Sequence, residues 1–232
     1  MKIFLKDRFS VTLKILTVIS SLGGLIISLT TAKFDGYSHW TRRLAYFTAQ
    51  SNIWIGITFL AVLFTKNSNA KIKNALYLMK YAFTVSITMT GLVFLSFLAP
   101  FADESYHVWS ISGCLTHVFS PIFAIADFFI DDYKIPIKGK RTFIAVIPPA
   151  LYVGVSAILT ALNFDFGRGD AYPYFFMNYL SPAGVFGFSK TYPFFIGYFY
   201  WIAALALITA LIGIFYSKLT TPKLQREHKK SP

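Results

Sequence analysis

Long apolar runs separated by short polar stretches dominate the pattern of this chain. Six runs reach about 20 residues, the length that an α-helix needs to cross a bilayer. They lie near residues 11–31, 44–65, 78–99, 109–130, 142–162 and 194–216. The pattern predicts an all-α, polytopic membrane protein: a six-transmembrane-helix bundle that forms a single membrane domain over 1–232, with a basic tail at 217–232.

The composition agrees with this class of protein. Apolar residues make up 55% of the chain and charged residues only 14%, against about a quarter in soluble domains. The formal charge of +12 does not indicate a nucleic-acid partner, because the basic residues gather between the apolar runs, where they encode membrane topology. The single cysteine, Cys114, excludes an internal disulfide and a cysteine-based metal site. The first run is too long for a signal peptide, so we expect an uncleaved helix.

Basic residues are distributed unequally between the two sides of the predicted bundle. On one side are 17: Lys2, Lys6, Arg8, Lys14, Lys66, Lys71, Lys73, Lys80, Lys134, Lys138, Lys140, Arg141, Lys218, Lys223, Arg226, Lys229 and Lys230. On the other side are five: Lys33, Arg42, Arg43, Arg168 and Lys190. The positive-inside rule then predicts a multi-pass protein of the cell membrane with both termini in the cytoplasm.

Polar residues interrupt the second apolar run. Thr48, Gln50, Ser51 and Asn52 lie within five consecutive positions. Polar side chains are costly in hydrocarbon unless a partner satisfies them. On a helix Thr48, Ser51 and Asn52 share one face, so we expect this face to point into the protein interior or a wet cavity.

His117 is the second polar residue within a predicted span. Small or kink-forming residues share its helical face, namely Gly113, Cys114, Ser120 and Pro121, which indicates an orientation toward the bundle. At 1.5 Å per residue, Thr48 lies about 6 Å and His117 about 12 Å below the outer ends of their spans. Both therefore belong to the outer half of the membrane, where they could meet.

A threonine hydroxyl becomes a nucleophile when a base accepts its proton, and a neutral imidazole can serve as that base. Gln50, Ser51 or Asn52 could donate hydrogen bonds to a developing oxyanion. Structural roles remain open for both residues. Thr48 could bond back to a carbonyl one turn earlier, and His117 could be a packing histidine. Asp127 lies about 15 Å further along the helix of His117. We therefore expect its carboxylate to balance the basic residues of the fourth loop instead of completing a catalytic triad.

The outer side also carries the other chemical groups. His39, His107 and His117 could form a metal site with carboxylates at positions 103, 104 and 170, although no two histidines have the spacing of a zinc motif. The loop at 163–193 is long and rich in aromatic residues, glycine and proline, as functional loops often are. Within it Tyr172, Pro173 and Tyr174 could shape or cover a cavity, and a tyrosine of this loop could orient His117.

Three segments in order resemble a known family: YFTAQSN at 46–52, LTHVFSPIFAIADFF at 115–129 and AYPYFFMNYLSP at 171–182. The chain is similar to the androgen-induced and androgen-dependent TFPI-regulating membrane proteins and to their bacterial six-span relatives. The resemblance implies an intramembrane threonine hydrolase of fatty-acyl esters, with Thr48 as nucleophile and His117 as base. Two departures are the AQSN that follows Thr48 and a spacing from His117 to Pro121 that is one residue shorter.

Our hypothesis from the sequence is therefore hydrolysis of a membrane lipid ester by Thr48 and His117. Gln50, Ser51, Asn52, Tyr172 and Tyr174 would contact the substrate, and the scheme needs no cofactor or metal. The alternatives are a small transporter or a lipid- or ligand-binding membrane protein, and a structural subunit in which Thr48 and His117 lie apart. The sequence does not specify the substrate or the oligomeric state.

Overall fold

The computed structural model describes residues 2–101, 107–167 and 169–228, and it confirms the predicted six-helix class. Within these residues there is no β-strand, and six helices are long and apolar enough to span a membrane. They are α1 (Lys6–Thr31), α2 (Phe47–Phe64), α3 (Ala70–Leu98), α4 (Ile111–Ile130), α5 (Gly139–Ala161) and α6 (Tyr198–Thr220). Asp103, Glu104, Arg168 and residues 229–232 of the predicted tail lie outside the described residues.

Several helix boundaries differ from the sequence prediction, among them the start of α3 and the end of the last helix. α3 starts at Ala70, eight residues before the predicted run, because Asn69 caps its first turn: its side-chain oxygen accepts a hydrogen bond from the Ile72 N–H at 3.0 Å. An apolar pattern cannot reveal this polar first turn. The last helix continues as Tyr198–His228, so most of the predicted basic tail is helical.

The bundle has two different ends. The connections 65–69 and 131–138 are short and lie at the end where the described chain begins and ends, which we call the terminal end. The described connecting residues 32–46, 99–101, 107–110, 162–167 and 169–197 lie at the opposite end, which we call the loop end. Three short 3-10 turns occur here, at Trp40–Ala45, Ala99–Phe101 and Phe175–Met177.

The first four helices form the centre of the bundle, and two glycines allow their close approach. A Cβ atom on Gly56 would lie 2.6 Å from the Ser21 Oγ atom, so α1 and α2 touch at this point. A Cβ atom on Gly24 would lie 2.7 Å from the Leu115 Cβ atom. α1 and α4 therefore meet without an intervening side chain, as small residues permit in membrane bundles.

The fifth and sixth helices are peripheral. Only 11% of the apolar stretch of α6 is buried in the bundle, against 56% for α3. α5 begins as a 3-10 segment, Gly139–Val146, which packs closely on α6. Its α-helical part, Ile147–Ala161, packs on α3 and makes few direct contacts with α6 within the described residues. The two helices thus join at the terminal end and separate toward the loop end.

Buried charges tie α1, α3 and α4 together near the terminal end. The fully buried Asp127 accepts hydrogen bonds from Lys14 Nζ at 2.8 Å and from Ser10 Oγ at 2.6 Å. Lys80 Nζ pairs with Asp127 and donates to Asp131 Oδ2 at 2.5 Å. We call Ser10, Lys14, Lys80, Asp127 and Asp131 the ion cluster. The expectation that Asp127 pairs with basic residues of the fourth loop is wrong, because its buried carboxylate pairs with Lys14 of α1 and Lys80 of α3.

The lysines of the ion cluster favour the charged form of the Asp131 carboxylate. Burial alone would raise the pKa of Asp131, but the ammonium groups of Lys80 and Lys14 outweigh burial and hold this pKa below its usual value. Two lysines then balance two aspartates. Lys14 and Lys80 belong to the 17 basic residues on which the predicted topology rests, but both are buried structural groups.

Candidate functional site

Three spanning helices change to π-helical geometry toward the loop end. The segments are Ile19–Gly23 in α1, Phe94–Leu98 in α3 and Leu115–Phe119 in α4. In α4 the cause is local, because Pro121 has no N–H to donate to the carbonyl of His117. That carbonyl instead faces Gly91, where a Cβ atom would lie 3.1 Å from it. π-Helical turns are rare and frequently mark functional sites.

His117 lies in the π-helical segment of α4. Its ring stacks on Phe94 of α3, with centroids 3.9 Å apart and planes at 5°. The residue is 7% exposed and lines a cavity, while its Nδ1 atom has no hydrogen-bond partner within the described structure. Within the described structure, stacking on Phe94 holds the imidazole, in place of the expected tyrosine of the long loop.

Thr48 lies in the first turn of α2. The helix begins at Phe47, and Tyr46 provides no side-chain cap. Because the first intrahelical donor is the Gln50 N–H, the N–H groups before it are not used within the helix. The Thr48 N–H donates to the hydroxyl of Tyr174 at 3.4 Å. Burial raises the pKa of Tyr46, so this phenol stays protonated beside the helix start.

The Thr48 hydroxyl does not make the hydrogen bond to a preceding carbonyl that many helical threonines make, a feature that it shares with the buried hydroxyls of Thr58 and Thr84. Thr17, Thr88 and Thr116, for example, donate to the carbonyl one turn earlier at 2.7–2.8 Å. For Thr48 that carbonyl is Leu44, which accepts from the Gln50 amide at 3.3 Å. Among the described residues the Thr48 hydroxyl makes no hydrogen bond, either to a carbonyl or to His117.

The polar neighbours of Thr48 hold α2 against α3 and α4. Asn52 is fully buried, and its amide nitrogen donates to the carbonyl of Thr48 at 2.8 Å and to that of Thr116 at 3.2 Å. Ser51 bonds to the hydroxyl of Thr90 at 2.8 Å. Gln50 faces a separate lateral pocket. The structure thus brings Ser51 and Asn52 beneath Thr48 and places Gln50 elsewhere.

A cavity of about 420 Å³ opens at the loop end, and we call it the polar cavity. Thr48, Tyr174 and His117 line it together with charged groups of the loops. Of the predicted loop residues Pro173 and Tyr174 belong to its wall, whereas Tyr172 is not among its lining residues.

A second cavity of about 230 Å³, which we call the apolar chamber, adjoins the first. Its walls come from the start of α2, from α3, α5 and α6 and from the loop segment 174–177, and they are mostly hydrocarbon and aromatic. Thr48, Leu98 and Tyr174 line both cavities. The Thr48 side chain therefore stands where a polar space and an apolar space meet.

Two charged residues of the polar cavity were not predicted as site residues. Arg43 pairs with Asp35 and with Ser28 Oγ, and its guanidinium lies 4.7 Å above the ring of Tyr37. In sequence Arg43 is a loop basic residue, and nothing local signals that α1 and the first loop bring it to the cavity. In the described part of the chain no three histidine, cysteine or carboxylate residues are grouped as a metal would require.

No family model, curated protein or solved structure matches this chain.

Proposed function

We propose that this chain is a membrane-embedded lipid ester hydrolase in which Thr48 is the nucleophile and His117 the general base. One observation carries the proposal: an unused threonine hydroxyl stands at the junction of an apolar chamber and a polar cavity that also contains a histidine. An ester of a lipid has the same division, with a hydrocarbon chain on one side of the carbonyl and a polar group on the other. The ordered resemblance to the six-span threonine hydrolases supports the same chemistry.

The proposed reaction has two steps. Thr48 Oγ1 attacks the ester carbonyl, His117 accepts the hydroxyl proton, and the alcohol leaves with that proton, so that the acyl group remains on Thr48. Water then attacks the acyl-threonine, again with His117 as base, and releases the fatty acid and free Thr48. Hydrogen bonds between catalytic groups are often long in unliganded enzymes and shorten with substrate, and this scheme requires such a change between Thr48 and His117.

The oxyanion would be stabilised by the start of α2. Ser51 and Asn52 already donate to protein acceptors. The first-turn N–H groups at Thr48 and its neighbours carry the positive end of the helix dipole. The Thr48 N–H already donates to the Tyr174 hydroxyl, at a long distance of 3.4 Å, so it would exchange this partner for the oxyanion. The helix dipole, which the side chains of Gln50, Ser51 and Asn52 lack, favours the helix start for this role.

The closed interior favours this function over transport. Ile55 and Ala124 lie seven residues beyond Thr48 and His117, about 10 Å further along their helices. Both are fully buried in one hydrophobic cluster. The aromatic core around Tyr81 and Phe128, and then the ion cluster, fill the space toward the terminal end. This packing is typical of a cavity that opens at one end.

Removal of either residue of the dyad tests the proposal. In purified protein, Thr48→Ala and His117→Ala should each lower hydrolysis of a fluorogenic fatty-acyl ester at least about 100-fold, the usual size of a general acid–base contribution. Thr30→Ala and His39→Ala are matched controls, because both residues are exposed and away from the polar cavity. A fluorophosphonate should form a covalent adduct on Thr48 with loss of fluoride. This adduct should be absent in Thr48→Ala. Equal turnover in all five proteins would contradict the mechanism.

A lipid-binding protein without turnover is the second candidate. The lack of a hydrogen bond between the Thr48 hydroxyl and His117 in the described structure favours it. In that case lipid would bind to wild-type protein, while ester hydrolysis and the fluorophosphonate adduct would both be absent.

A further inference from the structure

The separation of α5 and α6 toward the loop end leads directly to the apolar chamber. Pro149, Ala150 and Val153 of α5 line one wall, and Ile202, Leu205 and Ala206 of α6 line the facing wall. At the terminal end the two helices close together, where the segment Gly139–Val146 packs on α6. Gly213 permits this contact, since a Cβ atom there would lie 3.3 Å from the Ala145 Cβ atom.

The outer faces of both helices are exposed and apolar. Leu151 of α5 is 65% exposed and Leu207 of α6 is 61% exposed. On helices long and apolar enough to span a membrane, such faces suit contact with hydrocarbon. The gap between α5 and α6 therefore lies between two helices that themselves contact lipid, at the depth of the acyl chains.

We infer that the apolar chamber is a binding site for one alkyl chain of a membrane amphiphile, which enters sideways from the bilayer between α5 and α6. The described residues that line the chamber include no charged side chain, and their polar side-chain groups are the hydroxyls of threonines and tyrosines, so the chamber offers no charge to an ionic headgroup. The headgroup or carboxyl end instead reaches the polar cavity past Thr48. Binding of the chain is independent of catalysis, while the position of an ester at Thr48 rests on the proposed function.

The size of the chamber selects a single chain. A methylene group occupies roughly 30 Å³, about as much as a water molecule in the liquid. The chamber volume of about 230 Å³ therefore holds about eight carbons. A longer chain would continue through the gap into the bilayer. Because the chain enters from the bilayer, each methylene passes from one hydrocarbon environment to another. Chain length should therefore change affinity only weakly, and the chamber selects by the space that it offers.

Photolabelling in phosphatidylcholine nanodiscs tests the inference directly. The probe is palmitic acid with a diazirine at about its sixth carbon, within the part of the chain that the chamber should hold. Adducts mapped by mass spectrometry should fall on chamber residues such as Met89, Val153 and Leu205. Adducts only on outward-facing residues such as Leu151 and Leu207 would overturn the inference.

A bulky residue in the chamber provides the specific variant. Ala206→Trp should fill the space of about two or three methylenes and lower the chamber adducts severalfold, because the chain no longer fits beside the indole ring. Ala204→Trp is the matched control on α6, because Ala204 is exposed and does not line the chamber. Ala150→Trp repeats the test from α5 if the first variant does not elute as a folded protein. Chamber adducts unchanged in a folded chamber variant would contradict the inference.

Thr48→Ala separates this inference from the proposed hydrolysis. The variant should keep the chamber adducts of the wild type and lose ester hydrolysis. Labelling of the chamber without hydrolysis in the wild type would reject the enzyme and retain the alkyl-chain site. If hydrolysis depended on Thr48 but no chamber adducts formed, the alkyl-chain site would be rejected and the enzyme retained.

Discussion

Single residues of this protein have roles that depend on which of their polar atoms are already engaged. Asn52 donates to two carbonyls, while the Thr48 hydroxyl beside it donates to none within the described structure. Both are polar residues of one helical face, and residue type does not distinguish them. The hydrogen-bond partners do: Asn52 joins α2 to α4, and Thr48 is left available to a ligand.

At the scale of a residue, we predict that Asn52→Ala destabilises the bundle by about 1–3 kcal/mol, because two buried carbonyls lose a donor. The measurement is thermal or denaturant unfolding of purified protein in detergent. Gln50→Ala serves as control, since Gln50 is half-buried and donates to a single carbonyl at 3.3 Å. If the two substitutions had equal effects on stability, the bridging role of Asn52 would be rejected.

At the scale of elements, the ion cluster and the close helix contacts join α1, α3 and α4. A buried charge is tolerated only when it is paired, and removal of one partner leaves an uncompensated charge in a dry environment. The ion cluster contains two lysines and two aspartates from three helices. Each helix therefore depends on the other two for the stability of its charged residues.

We predict that Lys80→Met destabilises the protein by about 3–5 kcal/mol, as expected when one member of a buried ion pair is lost. Lys71→Met, an exposed change on the same helix, should have little effect. Unfolding of both variants in the same detergent gives the comparison. In the double variant Lys80→Met/Asp127→Asn the charges are again balanced, and it should recover part of the lost stability. A Lys80→Met protein as stable as the wild type would show that these charges are not coupled.

At the scale of the whole molecule, the loops, cavities and charges are divided between the two ends. The polar cavity and the long loops occupy the loop end, and the ion cluster and both termini occupy the terminal end. The burial of Lys14 and Lys80 removes two basic residues from the topogenic count, but the remaining excess still lies at the terminal end.

Because of this excess, we expect the terminal end to face the cytoplasm. Single cysteines at Lys33 and at Lys66, both exposed, mark the loop end and the terminal end in a Cys114→Ser background. A membrane-impermeant maleimide should label the cysteine at position 33 in intact cells. The cysteine at position 66 should react only after permeabilisation, and the opposite pattern would reverse the orientation.

The sequence by itself determined the class of fold and the positions of the spans. A bilayer requires about 20 apolar residues in every crossing helix, so hydropathy records each span locally. It also singled out Thr48 and His117, since a polar residue in an apolar run is visible without any knowledge of its neighbours.

Only the tertiary structure decided what those residues face. Because of the packing of the helices, Thr48 lies between two cavities and Gln50 lines a different pocket. Asp127 pairs with Lys14 and Lys80 for the same reason. The separation of α5 from α6 is likewise absent from the sequence pattern. Such contacts depend on how helices that are far apart in the chain are rotated and spaced. The pattern of apolar residues specifies this rotation and spacing only weakly, because lipid and protein interior are equally apolar.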